Sequence, residues 1–472
     1  MFAEIEKVLL PTVQNINLYL SNYILVIMLV GVGLWFTVKT KFVQVRCFFD
    51  GLKFLFGNFN LSGKKHDGGM SSFQALTAAV ASQVGTGNIV GAAGAILIGG
   101  PGAIFWMWVI AFLGMATIYA EAVLAVHTRI IEPDGNIKGG PVYYITTAFK
   151  GRLGIFLSHF FAIAIILALG CMGTMVQSNS ISSCIHTAFG IPDYCTGIVL
   201  AVICCAIFSG GIRRLAAVTE KIVPFMAVLF IIGGLIILLF RINYLPYTFK
   251  MIFDCAFHPQ AILGGGFWYA LMTAVSQGTK RGLFSNEAGM GSTPHAHALA
   301  HVKNPHEQGI FAMMGVFIDT FVILTMVALI IISTLYTPGA PLENGYTGFV
   351  TEIFDKTNLV QSAFGSIFGN TAGSVFVAVC LLFFAFTSIL SWNLFGKINA
   401  LYLFGNKHPK RAAVVYTVVT VGFIMVGTLI SSDFVWELTD MFNNLMVLPN
   451  VIALFALTNT VILISRNKNN EK

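Results

Sequence analysis

The stretch from Ala81 to Gly91, ASQVGTGNIVG, sets Gly85, Thr86, Gly87 and Asn88 inside an otherwise apolar segment. Two glycines bracketing a threonine, followed at once by an asparagine, are poor helix material, so the spacing predicts a break over residues 83–88. Within a bilayer a broken helix is tolerated only where protein or a water-filled cavity covers the freed N–H and C=O groups, which implies a polar site at membrane depth. One half-helix then offers N–H groups to a carboxylate and the other offers carbonyls to a cation. That chemistry suits a zwitterion travelling with a metal ion.

A second stretch has the same make-up. Residues 73–83 read FQALTAAVASQ and residues 267–277 read FWYALMTAVSQ. Both pass through Ala-Leu, small and β-branched residues, and Ser-Gln into a glycine-punctuated polar run, which in the second copy is GTKRG at 278–282, with FSNEAGMGS following at 284–292. A second break is therefore expected over 278–282. Glycines four apart, such as Gly87 and Gly91, also serve simple close packing of helices. Recurrence at matching positions, beside Asn88 and Lys280, favours a site, because paired interrupted helices are the sequence pointer to a transporter's binding centre.

The elements that must position these residues are membrane spans. With 56% hydrophobic and 10% charged residues and a mean hydropathy of +0.81, the chain is far from the roughly 25% charge of a soluble domain. No cleavable signal is evident in the N-terminus MFAEIEKVLL. Apolar runs of about 20 residues give eleven spans: A 20–40, B 71–98, C 101–127, D 154–187, E 193–211, F 214–240, G 260–298 with its break, H 307–335, I 366–400, J 411–431 and K 440–465. Placing the N-terminus outside puts 21 of the 27 lysines and arginines in inner loops and the tail, four in outer loops (Lys7, Arg241, Lys250, Lys356), and Lys280 and Arg281 inside span G. This asymmetry follows the positive-inside rule, so the basic balance calls for no nucleic acid. The linker 41–70, with Phe48, Phe49, Leu52, Phe54, Leu55 and Phe56 among basic residues, reads as a helix along the membrane surface. The eight cysteines show no metal spacing and read as small packing residues.

Spans B and G are five apart and so cross in opposite directions. The expected fold is an all-α polytopic membrane protein with a five-plus-five inverted repeat, two discontinuous helices and one extra N-terminal span. Its parts are residues 1–70 (extra span and linker), 71–241 (first repeat), 242–465 (second repeat) and 466–472 (cytoplasmic tail).

GTGNIVGAAGAI, GGPGAIFWMW, RGLFSNEAGMGS, and Trp392 after the Thr387-Ser388 pair together resemble the alanine or glycine:cation symporter family, across nearly the whole chain. The family is similar to the leucine-transporter-fold superfamily, and Val84 to Asn88 resembles the unwound first core helix of the neurotransmitter:sodium symporters there. The resemblance implies sodium-coupled import of alanine, glycine, D-alanine or glutamine by alternating access in the plasma membrane. Sodium is then a travelling ion rather than a cofactor. It further implies that the Ala81 and Val84 carbonyls and the Thr387 and Ser388 hydroxyls hold sodium, and that the Thr86 and Gly87 N–H groups hold the substrate carboxylate beside Asn88. The Gln83 carbonyl would take the ammonium. Ser276 and Phe284 would form the facing wall, with Gln177 and Trp392 closing the pocket and the tryptophan limiting side-chain size. A monomer is expected.

Glu121, Asp319, Glu287, Lys280 and Arg281 lie at or near membrane depth, where charge is costly and usually paired. Asp319 is expected to pair with Lys280 or Arg281, or else to carry a proton in a proton-coupled symporter. His295, His297 and His301 read as a solvated face, with the last two at i and i+4. No nucleophile–base pair or His/Glu constellation points to an enzyme. A channel would show flux far above carrier rates and no uphill accumulation.

Overall fold

The computed structural model describes residues 2–57, 72–133, 137–258, 266–302, 304–343, 354–405 and 408–466. Lys64, Lys65, Lys303, Lys407, Lys468, Lys472, linker residues 58–70 and tail residues 467–472 fall outside them. Among the described residues nine helices are long and apolar enough to cross a membrane: Glu6–Lys39, Gln74–Gly99, Gly102–His127, Gly151–Phe189, Arg214–Phe240, Pro305–Leu335, Asn370–Phe404, Pro409–Gly427 and Ser432–Ala456. Span E appears as the shorter apolar helix Asp193–Phe208, and span G as the more polar helix Phe267–Asn286. Span A begins earlier than its apolar run suggests and passes through a π-helical turn at Leu20–Leu25.

The repeat is visible in the order of elements. Each half opens with an interrupted helix and a long helix (spans B and C, then G and H). A short helix follows, Pro141–Ala148 in the first half and Asn358–Phe368 in the second. A very long helix (D, I), a shorter one (E, J) and a long one (F, K) complete each half. Span B packs on G, C on H, D on I and E on J, so the halves embrace their counterparts. The helix Gly151–Phe189 has 39 residues, about 58 Å at 1.5 Å per residue, and overruns a hydrocarbon core of about 30 Å. A two-residue strand pair, Ile130–Ile131 with Ile137–Lys138, closes the loop between C and D.

The linker helix Phe48–Gly57 is present, but its aromatic face is turned to the protein. Phe48 meets Phe317 at 4.9 Å and Phe54 stacks on Phe311 at 5.7 Å, while Phe49 is 73% exposed. Covering span H buries more apolar surface than lying flat beside it.

The first predicted break is observed. The helix Ser72–Gln83 ends, Val84 and Gly85 leave it, and the chain re-enters through a π-helical turn, Gly87–Gly91, before Ala92–Gly99. The second is displaced: the helix Phe267–Asn286 runs unbroken through 278–282. The chain opens instead over 287–293, where Glu287, Gly289 and Gly291 take φ of 57°, 90° and 77°, and re-forms as the short helix Pro294–Ala298. Gly278 and Gly282 do what glycines four apart often do. A Cβ on Gly278 would stand 2.6 Å from Trp106 Cβ and 2.7 Å from the Ala103 carbonyl, and one on Gly282 would touch Met107 and Ile110. They bring span G against span C without bending it.

Candidate functional site

Past its break span B lies antiparallel to the part of span G that precedes its own break. A Cβ on Gly87 would stand 2.9 Å from Ser285 Cα, one on Gly91 would meet Arg281, and one on Gly99 would meet Gln277 and Ala274. Glycine at 87 is thus required by close backbone approach. Ser276 lies nine residues from Ser285, about 13 Å along the helix, and is not gathered into the junction; Ser285 holds that place.

At the first break the Gly85 N–H donates to Asn88 Oδ1 at 3.0 Å, and the Thr86 N–H donates to Gln177 Oε1 of span D at 3.2 Å. Gln83 Nε2 donates to the Asn286 carbonyl at 2.8 Å, tying one break to the other. Among the described residues, four buried polar atoms at this junction lack a hydrogen-bond partner: Gln83 Oε1, Thr86 Oγ1, Gln177 Nε2 and Asn286 Nδ2. Buried polar groups are nearly always paired, so unsatisfied donors and acceptors gathered around two opened helices describe a place shaped for a polar guest.

The wall is aromatic. The Trp392 ring meets Phe284 edge-on at 5.7 Å, and Phe284 meets Trp436 at 4.7 Å. Trp392 Nε1 donates to Glu287 Oε1 at 2.6 Å, and Glu287 Oε2 accepts from Ser82 Oγ at 3.2 Å and from Ser292 Oγ.

The Thr-Ser pair divides. Ser388 Oγ lies 3.0 Å from the Ala81 carbonyl and 3.0 Å from the Phe384 carbonyl. With its proton on Phe384, the hydroxyl would set a lone pair beside the Ala81 oxygen, two hard donors of the kind a small cation takes. The Thr387 hydroxyl bonds back to the Phe383 and Phe384 carbonyls at 3.0 Å each and lies 3.6 Å from Met226 Sδ. It is turned toward span F, as a helical threonine satisfying its own backbone is. Val84 donates its N–H to the Val80 carbonyl at 2.7 Å, which leaves its own carbonyl at the frayed end of the half-helix.

Asp319 does not pair with Lys280 or Arg281. Its carboxylate accepts from Asn88 Nδ2 at 2.7 Å, Ser285 Oγ at 2.8 Å and Thr320 Oγ1 at 2.8 Å, all neutral donors. Both cations close on Asp440 of span K: Arg281 does so with two nitrogens at 3.1 and 3.0 Å, and Lys280 at 3.3 Å. The Arg281 guanidinium also lies 4.4 Å from the Trp436 ring centroid. Asp440 faces these side chains across the helix pair, whereas Asp319 faces the first break.

Sequence reasoning missed what holds the second break open. Glu121 of span C accepts the Gly289 N–H at 3.0 Å and the Gly291 N–H at 2.9 Å. Asn450 Nδ2 donates to Glu121 Oε1 at 2.6 Å and to the Gly289 carbonyl at 2.9 Å. A carboxylate inside span C was the one signal; its partners are backbone groups that no residue type announces. Just beyond span C, Arg129 donates to the Ala298 and Val302 carbonyls at 3.1 Å each and to that of Ala300, capping the chain after Pro294–Ala298. His295 and His297 are buried rather than solvated, whereas His301 is exposed. His295 is buried between Phe161 and Phe395 and meets the Ser292 carbonyl and Asn399. His297 meets Gln308 at 2.8 Å. The short helix ends at Ala298, so His301 is not one helical turn from His297.

The Methanococcus maripaludis protein named sodium/alanine symporter AgcS is 36% identical over 451 residues, 95% of each chain. The Bacillus subtilis amino-acid carrier protein AlsT is 36% identical over 433 residues, 91% of this chain and 86% of its own. Among solved structures, MhsT in complex with L-phenylalanine superposes with a TM-score of 0.56 at 14% identity, over 85% of this chain and 99% of that one. At that identity the likeness shows the fold, the leucine-transporter fold, and not the cargo. A family model described as the sodium:alanine symporter family matches residues 6–472, and with relatives of this identity along nearly its full length the chain belongs to that family of multi-pass membrane transporters.

Proposed function

We propose that the protein imports a small neutral amino acid, alanine or glycine foremost, together with sodium, by alternating access at the junction of the two helix breaks. The observation that carries this reading is the set of four unpartnered buried atoms, Gln83 Oε1, Thr86 Oγ1, Gln177 Nε2 and Asn286 Nδ2, beside main-chain N–H groups held by the side chains of Asn88 and Gln177. A substrate carboxylate would take the Thr86 N–H from Gln177 together with the Gly87 N–H, and the ammonium would face the Gln83 oxygens. Trp392 and Phe284 would confine the substrate side chain to about the size of a methyl group. Sodium would sit between the Ala81 and Val84 carbonyls and Ser388, with Thr387 behind it.

In the same reading the chain makes eleven crossings as a monomer in the cytoplasmic membrane, N-terminus outside, with repeats 71–241 and 242–465. The ion pairs of Lys280 and Arg281 with Asp440 then lie on the outer side of the site, and with Phe284 and Trp436 they close it. One sodium ion crossing about 150 mV gains about 3.5 kcal/mol, and a tenfold gradient adds about 1.4. Roughly 5 kcal/mol sustains accumulation on the order of a thousandfold, so one coupling ion suffices. Uptake of labelled alanine into proteoliposomes tests the reading: an imposed inward sodium gradient drives accumulation, and uptake indifferent to that gradient refutes it.

The neutral hydrogen-bond donors around Asp319 favour a rival in which a proton is the coupling ion. Under it, Asp319→Asn abolishes uptake driven by a pH gradient; under the sodium reading, uptake driven by sodium at constant pH persists in that variant.

A further inference from the structure

Span A lies outside the repeat, where a simple anchor would show an apolar face to its neighbours. It instead makes polar contacts with span K. Asn17 Nδ2 donates to the Glu437 carbonyl at 2.8 Å and to Glu437 Oε2 at 2.6 Å. Asn444 Nδ2 donates to Ser21 Oγ at 2.9 Å, and the Ser431 N–H donates to Glu6 Oε1 at 2.9 Å. Asn17 and Ser21 are buried, and they are one helical turn apart on a single face.

The helical register of span A is altered at this same level. The π-helical turn Leu20–Leu25 contains Ser21 and packs on both the span G helix and span K. Its last residue, Leu25, lines a small cavity with Lys280, Leu283, Phe284, Asp440, Asn443 and Asn444. The turn therefore wedges between the two helices whose charged side chains meet: Lys280 and Arg281 on one, Asp440 on the other. Single π turns inside α-helices cost helix stability and recur where a side chain must be placed for function. Here the wider turn aims Ser21 at Asn444 and Leu25 at the ion pairs.

We propose that span A is a working part of the outer gate. Asn17 and Ser21 are positioning residues that hold span K where Asp440 closes on Lys280 and Arg281. The proposal rests on the transport reading above, since a gate presupposes a cargo. It gives the extra span a task of its own: among the described residues span F packs on helices of the two repeats, whereas span K packs on span A as well.

The test measures release of labelled alanine from purified, sodium-loaded protein into excess unlabelled alanine. Asn17→Ala with Ser21→Ala speeds release at least about tenfold, the size expected when three hydrogen bonds of ordinary strength are lost. Asp440→Asn also speeds release, and combining it with the pair adds little further, because both act on one closure. Ser21→Thr, which keeps the hydroxyl, restores slow release, and Ile27→Ala on the 70%-exposed face of the same helix changes nothing. Unchanged release in the double variant, or a full multiplicative effect on top of Asp440→Asn, overturns the proposal. If the double variant does not fold, Ser21→Ala alone against Ser21→Thr makes the same comparison. Wild-type protein that neither binds nor accumulates alanine with sodium would instead sink the transport reading itself.

Discussion

Ser388 and Thr387 are neighbours of similar chemistry, yet the structure gives them different work, and substituting each separates the two. In Ser388→Ala the proposed sodium shell loses one hydroxyl oxygen beside the Ala81 carbonyl, 3.0 Å away. An interaction between a neutral dipole and a charged partner contributes about 1.5–3 kcal/mol, which at about 1.4 kcal/mol per decade is roughly a 10- to 150-fold weaker sodium affinity. In Thr387→Ala the losses are bonds to the residue's own helical carbonyls and a weak contact with Met226 Sδ. Such bonds add little to a helix, so the shift should stay within about twofold. The assay is sodium activation of alanine uptake in proteoliposomes at fixed membrane potential, fitted for half-saturating sodium at saturating alanine. A shift in Thr387→Ala equal to or larger than that in Ser388→Ala would refute the placement of the ion, as would a Ser388→Ala protein with normal sodium dependence.

Other perturbations follow from the same geometry. Glu121→Gln replaces one of the acceptors for the Gly289 and Gly291 N–H groups with a donor, so it should cost about 1–3 kcal/mol, lowering both thermal stability in detergent and uptake; an unaltered protein would show that the second break needs no such support. A Cβ at Gly85 would collide with Ser388 Oγ, so Gly85→Ala should abolish alanine binding, whereas Gly31→Ala, with nothing within 4 Å, should bind normally. Gly278→Ala should destabilise the protein more than Gly282→Ala, because its new methyl would stand 2.6 Å from Trp106 Cβ against 3.6 Å from the nearest atom at Gly282; equal melting temperatures would contradict the packing role. Trp392→Phe removes the bond to Glu287 and shrinks the wall, so larger neutral amino acids should begin to compete with labelled alanine; an unchanged competition series would take Trp392 out of the specificity wall.

Composition and hydropathy were enough to announce a multi-pass helical membrane protein, because burying backbone in lipid leaves so few solutions that about 20 apolar residues declare a span. The repeat and the first break were legible for a related reason: Gly85, Thr86, Gly87 and Asn88 are locally unfit for helix, and local unfitness is written in residue types. The second break was misplaced because glycine has two uses that look alike in a string. At 278 and 282 it admits span C, and only at 289 and 291 does it supply positive φ. Which use applies depends on what stands opposite, and that is a property of the packed bundle. The same holds for the charges: Lys280 and Arg281 were bound to find a carboxylate at that depth, but whether it was Asp319 or Asp440 turned on the rotation of three helices about their axes. Glu121, whose partners are main-chain N–H groups, and Ser388 rather than Thr387 facing the first break, were likewise decided by tertiary placement. A sequence states what each residue can offer; only the fold brings the group that accepts it.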